Sequence, residues 1–145
     1  MTKALFAGSF DPFTIGHKSI VDRALSFVDE VVIGIGINTD KKGMFSFEQR
    51  KEAISNLFSN EPRVSVETYE GLTVDFAKSI GANVLLRGVR KVADFEYERD
   101  MAEINKELSG IETILLFADE KYSCVSSSVV RELIKFGKDV SKFMP

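Results

Sequence analysis

The sequence predicts an α/β fold: one Rossmann-like, doubly wound domain over residues 1–145, with a five-stranded parallel sheet in the order 3-2-1-4-5. Three observations carry this. Five apolar runs recur along the chain, most of them continuous, as in strands buried on both faces of a parallel sheet. An amphipathic helical pattern follows each run, so strand and helix alternate. The segments at the strand ends are polar, glycine-bearing or basic, which is where an open α/β sheet binds ligands.

The first strand is KALFAG, residues 3–8. Behind it Thr14 reads as an N-cap, and Ile20, Val21, Ala24, Leu25 and Val28 form the apolar stripe of a helix. The second strand is EVVIGIGI, whose Gly34 and Gly36 face one side and predict close packing of a helix. Next, Ser46 and Gln49 stand in capping-box spacing, with Phe47, Ile54, Leu57 and Phe58 on one side of the helix they open. RVSVETY is the third strand, and a short helix from LTVDFAKS ends near Gly81. NVLLRG is the fourth, followed by a long helix that aligns Tyr97, Met101, Ile104 and Leu108. Phe95 lies off that stripe, which predicts cover by a ligand or a neighbouring subunit. ETILLF is the fifth, and Ser126, Ser127 and Ser128 precede a last helix with Val129, Val130, Leu133 and Ile134, stopped by Gly137. The residues beyond Gly137 are too few for another layer.

The composition narrows function. A formal charge of −3 argues against a nucleic-acid partner held by bulk electrostatics. One cysteine and one histidine make a dedicated transition-metal cage an unfavourable reading. No run approaches membrane-spanning length and the N-terminus lacks a signal-peptide core, which predicts a protein of the reducing cytoplasm.

The expected strand order sets the ends of strands 1 and 4 side by side at the reversal. That brings Gly8, Ser9 and His17 next to Arg87, Gly88 and Arg90. Gly8 lets a backbone approach a ligand, Ser9 offers a hydroxyl and an amide, and Gly16 and His17 fall in a first helical turn, where amides favour anions. His17 has a bland alternative as the first residue of the core stripe. It ranks second, because the capping-box position prefers Glu or Gln and a histidine is expected to add nothing to the cap. Arginine suits phosphate through its planar fork, whereas the Lys41–Lys42 pair is as readily a solvated pair. The serines read mainly as capping, Glu96 and Glu98 as surface charge, and Cys124 as a small structural residue. Neither a Walker loop nor a full dinucleotide fingerprint is present.

Thr14-Ile15-Gly16-His17 together with Val125-Ser126-Ser127-Ser128 and Arg131 resembles the nucleotidyltransferase superfamily marked by a (T/H)xGH loop and a late serine motif. GSFDPFTIGH, RGVRKVADFEYE and Asn105 narrow the resemblance to the bacterial phosphopantetheine adenylyltransferases, over nearly the whole chain. The resemblance implies adenylyl transfer from ATP to 4'-phosphopantetheine with Mg²⁺, and a homohexamer. It also implies roles. His17, Lys41 and Arg90 would serve the chemistry. Ser9, Phe10, His17, Gly88, Val89, Arg90 and Glu98, with Tyr122, Ser123, Cys124, Val125, Ser126, Ser127 and Ser128, would bind ATP. Ser9, Lys41, Leu72, Thr73, Arg87 and Asn105 would bind the acceptor. Ser9 stands where threonine is commoner, Gly43 where proline is frequent, and Tyr122 where tryptophan is usual. Two rivals stay open: a cytidylyltransferase of a small phospho-alcohol, and a non-catalytic nucleotide-binding module. His17 discriminates the second, because binding ATP alone does not require it.

Overall fold

The computed structural model describes residues 1–145. Five strands form one parallel sheet, β1 (Lys3–Gly8), β2 (Glu30–Gly36), β3 (Val64–Tyr69), β4 (Val84–Val89) and β5 (Glu112–Phe117), in the order β3-β2-β1-β4-β5. The helices are α1 (Ile15–Ala24), α2 (Phe47–Leu57), α3 (Thr73–Ser79), α4 (Val92–Ser109) and α5 (Ser127–Lys135). Single 3-10 turns cover Glu120–Tyr122 and Ser141–Phe143.

Alternation along each strand divides two cores. Ala4 and Phe6 of β1 join Ile20, Val21, Ile33 and Ile54 on the α1/α2 face. Leu5 and Ala7 join Val32, Val74, Ala77 and Leu85 on the α3 face. Both faces of β1 are therefore buried, the condition that produces a continuous apolar run. The expected stops hold: Gly81 and Gly137 adopt φ of 70° and 71°, a left-handed conformation that glycine enters without a Cβ penalty.

One local expectation is corrected, and one apolar stripe lies open to solvent. Gly34 and Gly36 do not make room for a helix. A Cβ on Gly34 would stand 2.9 Å from Leu5 Cδ1 and 3.2 Å from Tyr69 Cε1, and one on Gly36 would stand 3.4 Å from the Tyr69 hydroxyl. The space serves the Tyr69 ring, which stacks on Phe76 of α3 at 4.7 Å. The α4 stripe is not buried either: Tyr97, Ile104 and Leu108 are 62%, 52% and 58% exposed, and Glu98 is the helix's one buried residue.

Where β1 meets β4 the ladder stops early. The register runs from Ala4↔Val84 to Phe6↔Leu86, although the two strands continue to Gly8 and Val89. The strands part at the point where chain order reverses, and a crevice opens there.

Candidate active site

The crevice leads into a cavity of about 310 Å³ built from three strand-end segments. The loop after β1 contributes Gly8, Ser9, Phe10 and Thr14, and α1 adds His17. The end of β4 contributes Arg87, Gly88 and Arg90. Tyr122, Val125, Ser126, Ser127, Ser128 and Arg131 close the side formed by α5 and the turn before it.

His17 is held by its own helix start. The Thr14 hydroxyl accepts from the His17 amide at 3.4 Å, and the Thr14 amide donates to His17 Nδ1 at 2.9 Å. The histidine thus completes the capping box, contrary to the expectation that it would add nothing. An imidazole nitrogen with a free lone pair accepts an amide proton as a glutamine oxygen does. This bond also sets the tautomer. Nδ1 must be unprotonated, so the neutral ring carries its proton on Nε2. The ring packs edge-on to Phe10 at 5.1 Å and lies 5.2 Å from Phe13. The ring therefore packs among core aromatics and lines the cavity at once.

Burial among these rings, and then the charges of Arg90 and Arg87, lower the His17 pKa to about 4. An empty site therefore holds a neutral imidazole with one donor, Nε2–H, in a cationic pocket. Arg90 is braced by Asp94, with Nε 3.6 Å from Oδ2. Arg87 fills the gap where the ladder ends. Its Nη1 donates to the Ala7 carbonyl, while Nε and Nη2 donate to the two carboxylate oxygens of Glu98 at 2.8 and 2.7 Å. A bidentate pair of this kind fixes the guanidinium plane.

Arg87 is shared between two hollows. The second, about 210 Å³, lies toward α3 and α4 and includes Leu72, Thr73, Glu98, Met101 and Asn105. Glu98 is buried there as the partner of Arg87, neither surface charge nor a wall of the first cavity. Lys41 borders a third depression, which it shares with Ser9, Asn38 and Arg50. Of the other residues singled out from sequence, Val89 is buried in the core, and Ser123 and Cys124 sit on the turn before α5, outside the cavity wall. Cys124 is exposed rather than packed. Phe10 lines the cavity, but the residue as a whole is 3% exposed and its ring belongs to the aromatic cluster.

Among the three serines only Ser126 caps, accepting from the Val129 amide at 3.1 Å. Ser127 donates to the Pro12 carbonyl at 2.7 Å, and Ser128 accepts from Arg131 at 3.1 Å. Arg131 is a cavity cation that the sequence reading left out of the site, although its spacing of three from Ser128 puts it on the serines' face of the helix. Asp11 and Arg50 were also passed over, because long-range partners alone mark them as special.

A neutral donor, three arginines, a helix start and a serine-lined wall around one cleft can hold polyanions and meet charge that develops on one of them. Comparison with known proteins agrees with that chemistry. Residues 5–133 match the cytidylyltransferase-like family model. Over all 145 residues the chain is 57% identical to the phosphopantetheine adenylyltransferase of Phocaeicola vulgatus and 54% identical to that of Bacteroides thetaiotaomicron, covering 96% of each. The enzyme of the same name from Porphyromonas gingivalis is 55% identical over 98% of the chain and 93% of its own length. In fold, a bifunctional NMN adenylyltransferase/ADP ribose pyrophosphatase from Francisella tularensis, complexed with AMP and a manganese ion, superposes with a TM-score of 0.71 at 19% identity. That match covers 99% of this chain and 44% of the larger one. With sheet order, cavity and full-length identity in agreement, the chain belongs to the phosphopantetheine adenylyltransferase family of nucleotidyltransferases.

Proposed function

We propose that this chain transfers the adenylyl group of MgATP to 4'-phosphopantetheine, giving dephospho-coenzyme A and pyrophosphate, the penultimate step of coenzyme A synthesis. The observation that carries the reading is the His17 Nε2–H, preset by the Thr14 amide and set in one cleft with Arg87 and Arg90. The acceptor's phosphate monoester is already an anionic nucleophile, so no protein nucleophile is required. An acceptor oxygen bonds to the α-phosphorus, the bond from that phosphorus to the β-bridging oxygen breaks, and pyrophosphate leaves with the electron pair. The protein's task is to hold two anions in line and meet the charge that grows on the α-phosphate.

The ATP contacts of the proposal are Ser9, Phe10, His17, Gly88 and Arg90, with Tyr122, Val125, Ser126, Ser127 and Ser128 of the wall. The acceptor contacts are Ser9, Lys41, Leu72, Thr73, Arg87 and Asn105. Glu98 acts through Arg87. Mg²⁺ would enter as part of the nucleotide, bound mainly by phosphate oxygens and water as that ion prefers. The cleft's polar lining suits that role, since hydroxyls, guanidiniums and an imidazole donor meet the phosphates rather than the cation.

The working form of the proposal is a homohexamer in the cytoplasm. Exposed apolar side chains support assembly: Phe95, Tyr97, Ile104 and Leu108 on α4, with Phe117 on edge strand β5. No helix is long and apolar enough to cross a membrane. Pyrophosphate release with a panel of nucleotides and acceptors tests the reaction. Turnover is expected with ATP and 4'-phosphopantetheine only. Turnover with CTP and a phospho-alcohol would reassign the substrates, and nucleotide binding without turnover on any acceptor would make the chain a binding module.

A further inference from the structure

Asp11 and Arg50 are buried charges outside the group of residues that face the substrates. Their side chains are 8% and 4% exposed, with Nε 3.3 Å from Oδ1. A buried ion pair is poor economy for stability alone, since a well-packed apolar pair of similar volume often does as well. Where this pair's bonds lead is therefore the question.

They lead to the loops that carry the site. Asp11 Oδ2 accepts the Met44 amide and Oδ1 the Phe45 amide, both at 2.9 Å. Arg50 Nε donates to the Phe45 carbonyl at 2.9 Å, and Nη1 donates to the Ser9 carbonyl at 3.1 Å. The guanidinium lies so close over Gly43 that a Cβ there would fall 1.7 Å from Nη2. Phe47 covers the guanidinium at 4.7 Å.

The segment from Asn38 to Gly43 has little else to hold it. Its hydrogen bonds run within itself, from the Asp40 and Lys41 amides to Asn38. On its upstream side the Ile37 amide is tied to the Tyr69 carbonyl. On its downstream side the tie is Asp11 and Arg50. Lys41 is thus placed relative to Ser9 by a pair of side chains rather than by a strand or helix.

We infer that Asp11 and Arg50 are positioning residues, a buried latch that docks the Lys41 segment and the Ser9–Thr14 loop against each other and so sets the acceptor half of the site. This rests on the reading of Lys41 and Ser9 as acceptor contacts. Gly43 lies against the latch, because a Cβ there would meet the Arg50 guanidinium and Asp11 Oδ2 and would have to displace them.

The test uses Arg50→Lys, which keeps the charge but loses the fork, and Asp11→Asn, which turns one of two acceptors into a donor. Gly43→Ala attacks the latch from the other side, so the test survives if either charge variant fails to fold. Ile54→Val, a core change in α2, is the control matched for thermal stability. Two readouts are taken on the whole folded protein. Tryptic nicking after Lys41 or Lys42, mapped by mass, is expected to speed up about tenfold in the latch variants, as local opening replaces a docked segment. KM for 4'-phosphopantetheine is expected to rise on the order of tenfold while ATP affinity moves less than about threefold, since small misplacements cost that much or more. Nicking at the wild-type rate in the variants, or an equal rise for both substrates, or the same changes in Ile54→Val, would overturn the latch. If the wild type turns over no acceptor, the reaction reading fails instead, and nicking alone decides the latch.

Discussion

Replacing His17 by alanine separates two jobs that one side chain performs. The first is structural. Thr14 is 1% exposed, and its amide loses its Nδ1 acceptor, which costs about 1–3 kcal/mol for an orphaned buried donor. The second is chemical. The Nε2–H is a preorganised donor, and removal of one such donor typically lowers kcat by about 10²–10³, or roughly 3–4 kcal/mol. His17→Gln divides the two, because glutamine is the ordinary capping-box residue at this position. It should recover most of the stability lost in His17→Ala while leaving kcat well below wild type. ATP affinity should change far less than kcat in either variant, because a bond that strengthens as charge develops acts on the transition state. The assays are urea unfolding, pyrophosphate release under saturating substrates, and equilibrium ATP binding. Loss of ATP binding in proportion to rate, or near-normal kcat in His17→Ala, would refute the reasoning and return His17 to the core.

Acid should destabilise the protein through the same residue. The folded pKa of about 4 lies below the ordinary 6.5, so between those values the unfolded chain holds the extra proton. Stability from the neutral ring is complete above pH 6.5 and lost as pH falls toward 4, by up to about 3 kcal/mol. His17→Gln should flatten the wild-type fall between pH 7 and 5 by about 1–2 kcal/mol in urea titrations, and an unchanged slope would contradict it. Arg90→Ala should weaken equilibrium ATP binding together with kcat, in contrast to His17→Ala. Glu98→Ala should unfix Arg87 and raise KM for 4'-phosphopantetheine several-fold with little effect on ATP, checked by steady-state kinetics. Sedimentation should find an oligomer that Ile104→Asp with Leu108→Asp disperses, and a wild-type monomer across a wide concentration range would remove that expectation.

What the sequence by itself determined is the part governed by local periodicity and chain chemistry. Continuous apolar runs gave the buried strands, capping residues and glycines placed the helix ends, and the run-helix alternation gave a parallel sheet, for which the order 3-2-1-4-5 was expected because it unites the richest strand ends. The residue types at the strand ends drew Ser9, His17, Arg87 and Arg90 together, the family resemblance added the serine segment, and all five line one cavity. Tertiary structure decided matters that depend on partners far apart in the chain. Glu98 meets Arg87 eleven positions away, and Arg50 reaches Ser9 across forty-one. Burial follows from such contacts, so Glu98 read as surface charge and Cys124 as a packed residue, the reverse of what the fold does with them. The exposed stripe of α4 is the converse case: periodicity reveals that a helix has an apolar face, but which surface covers it depends on how that helix docks. His17 shows the limit most sharply. Its place in a first helical turn was legible, but its proton position came from one backbone amide and its depressed pKa from burial and two distant arginines. The pKa belongs to a three-dimensional neighbourhood that no spacing encodes, whereas the proton position follows from the local Thr14–His17 capping-box spacing.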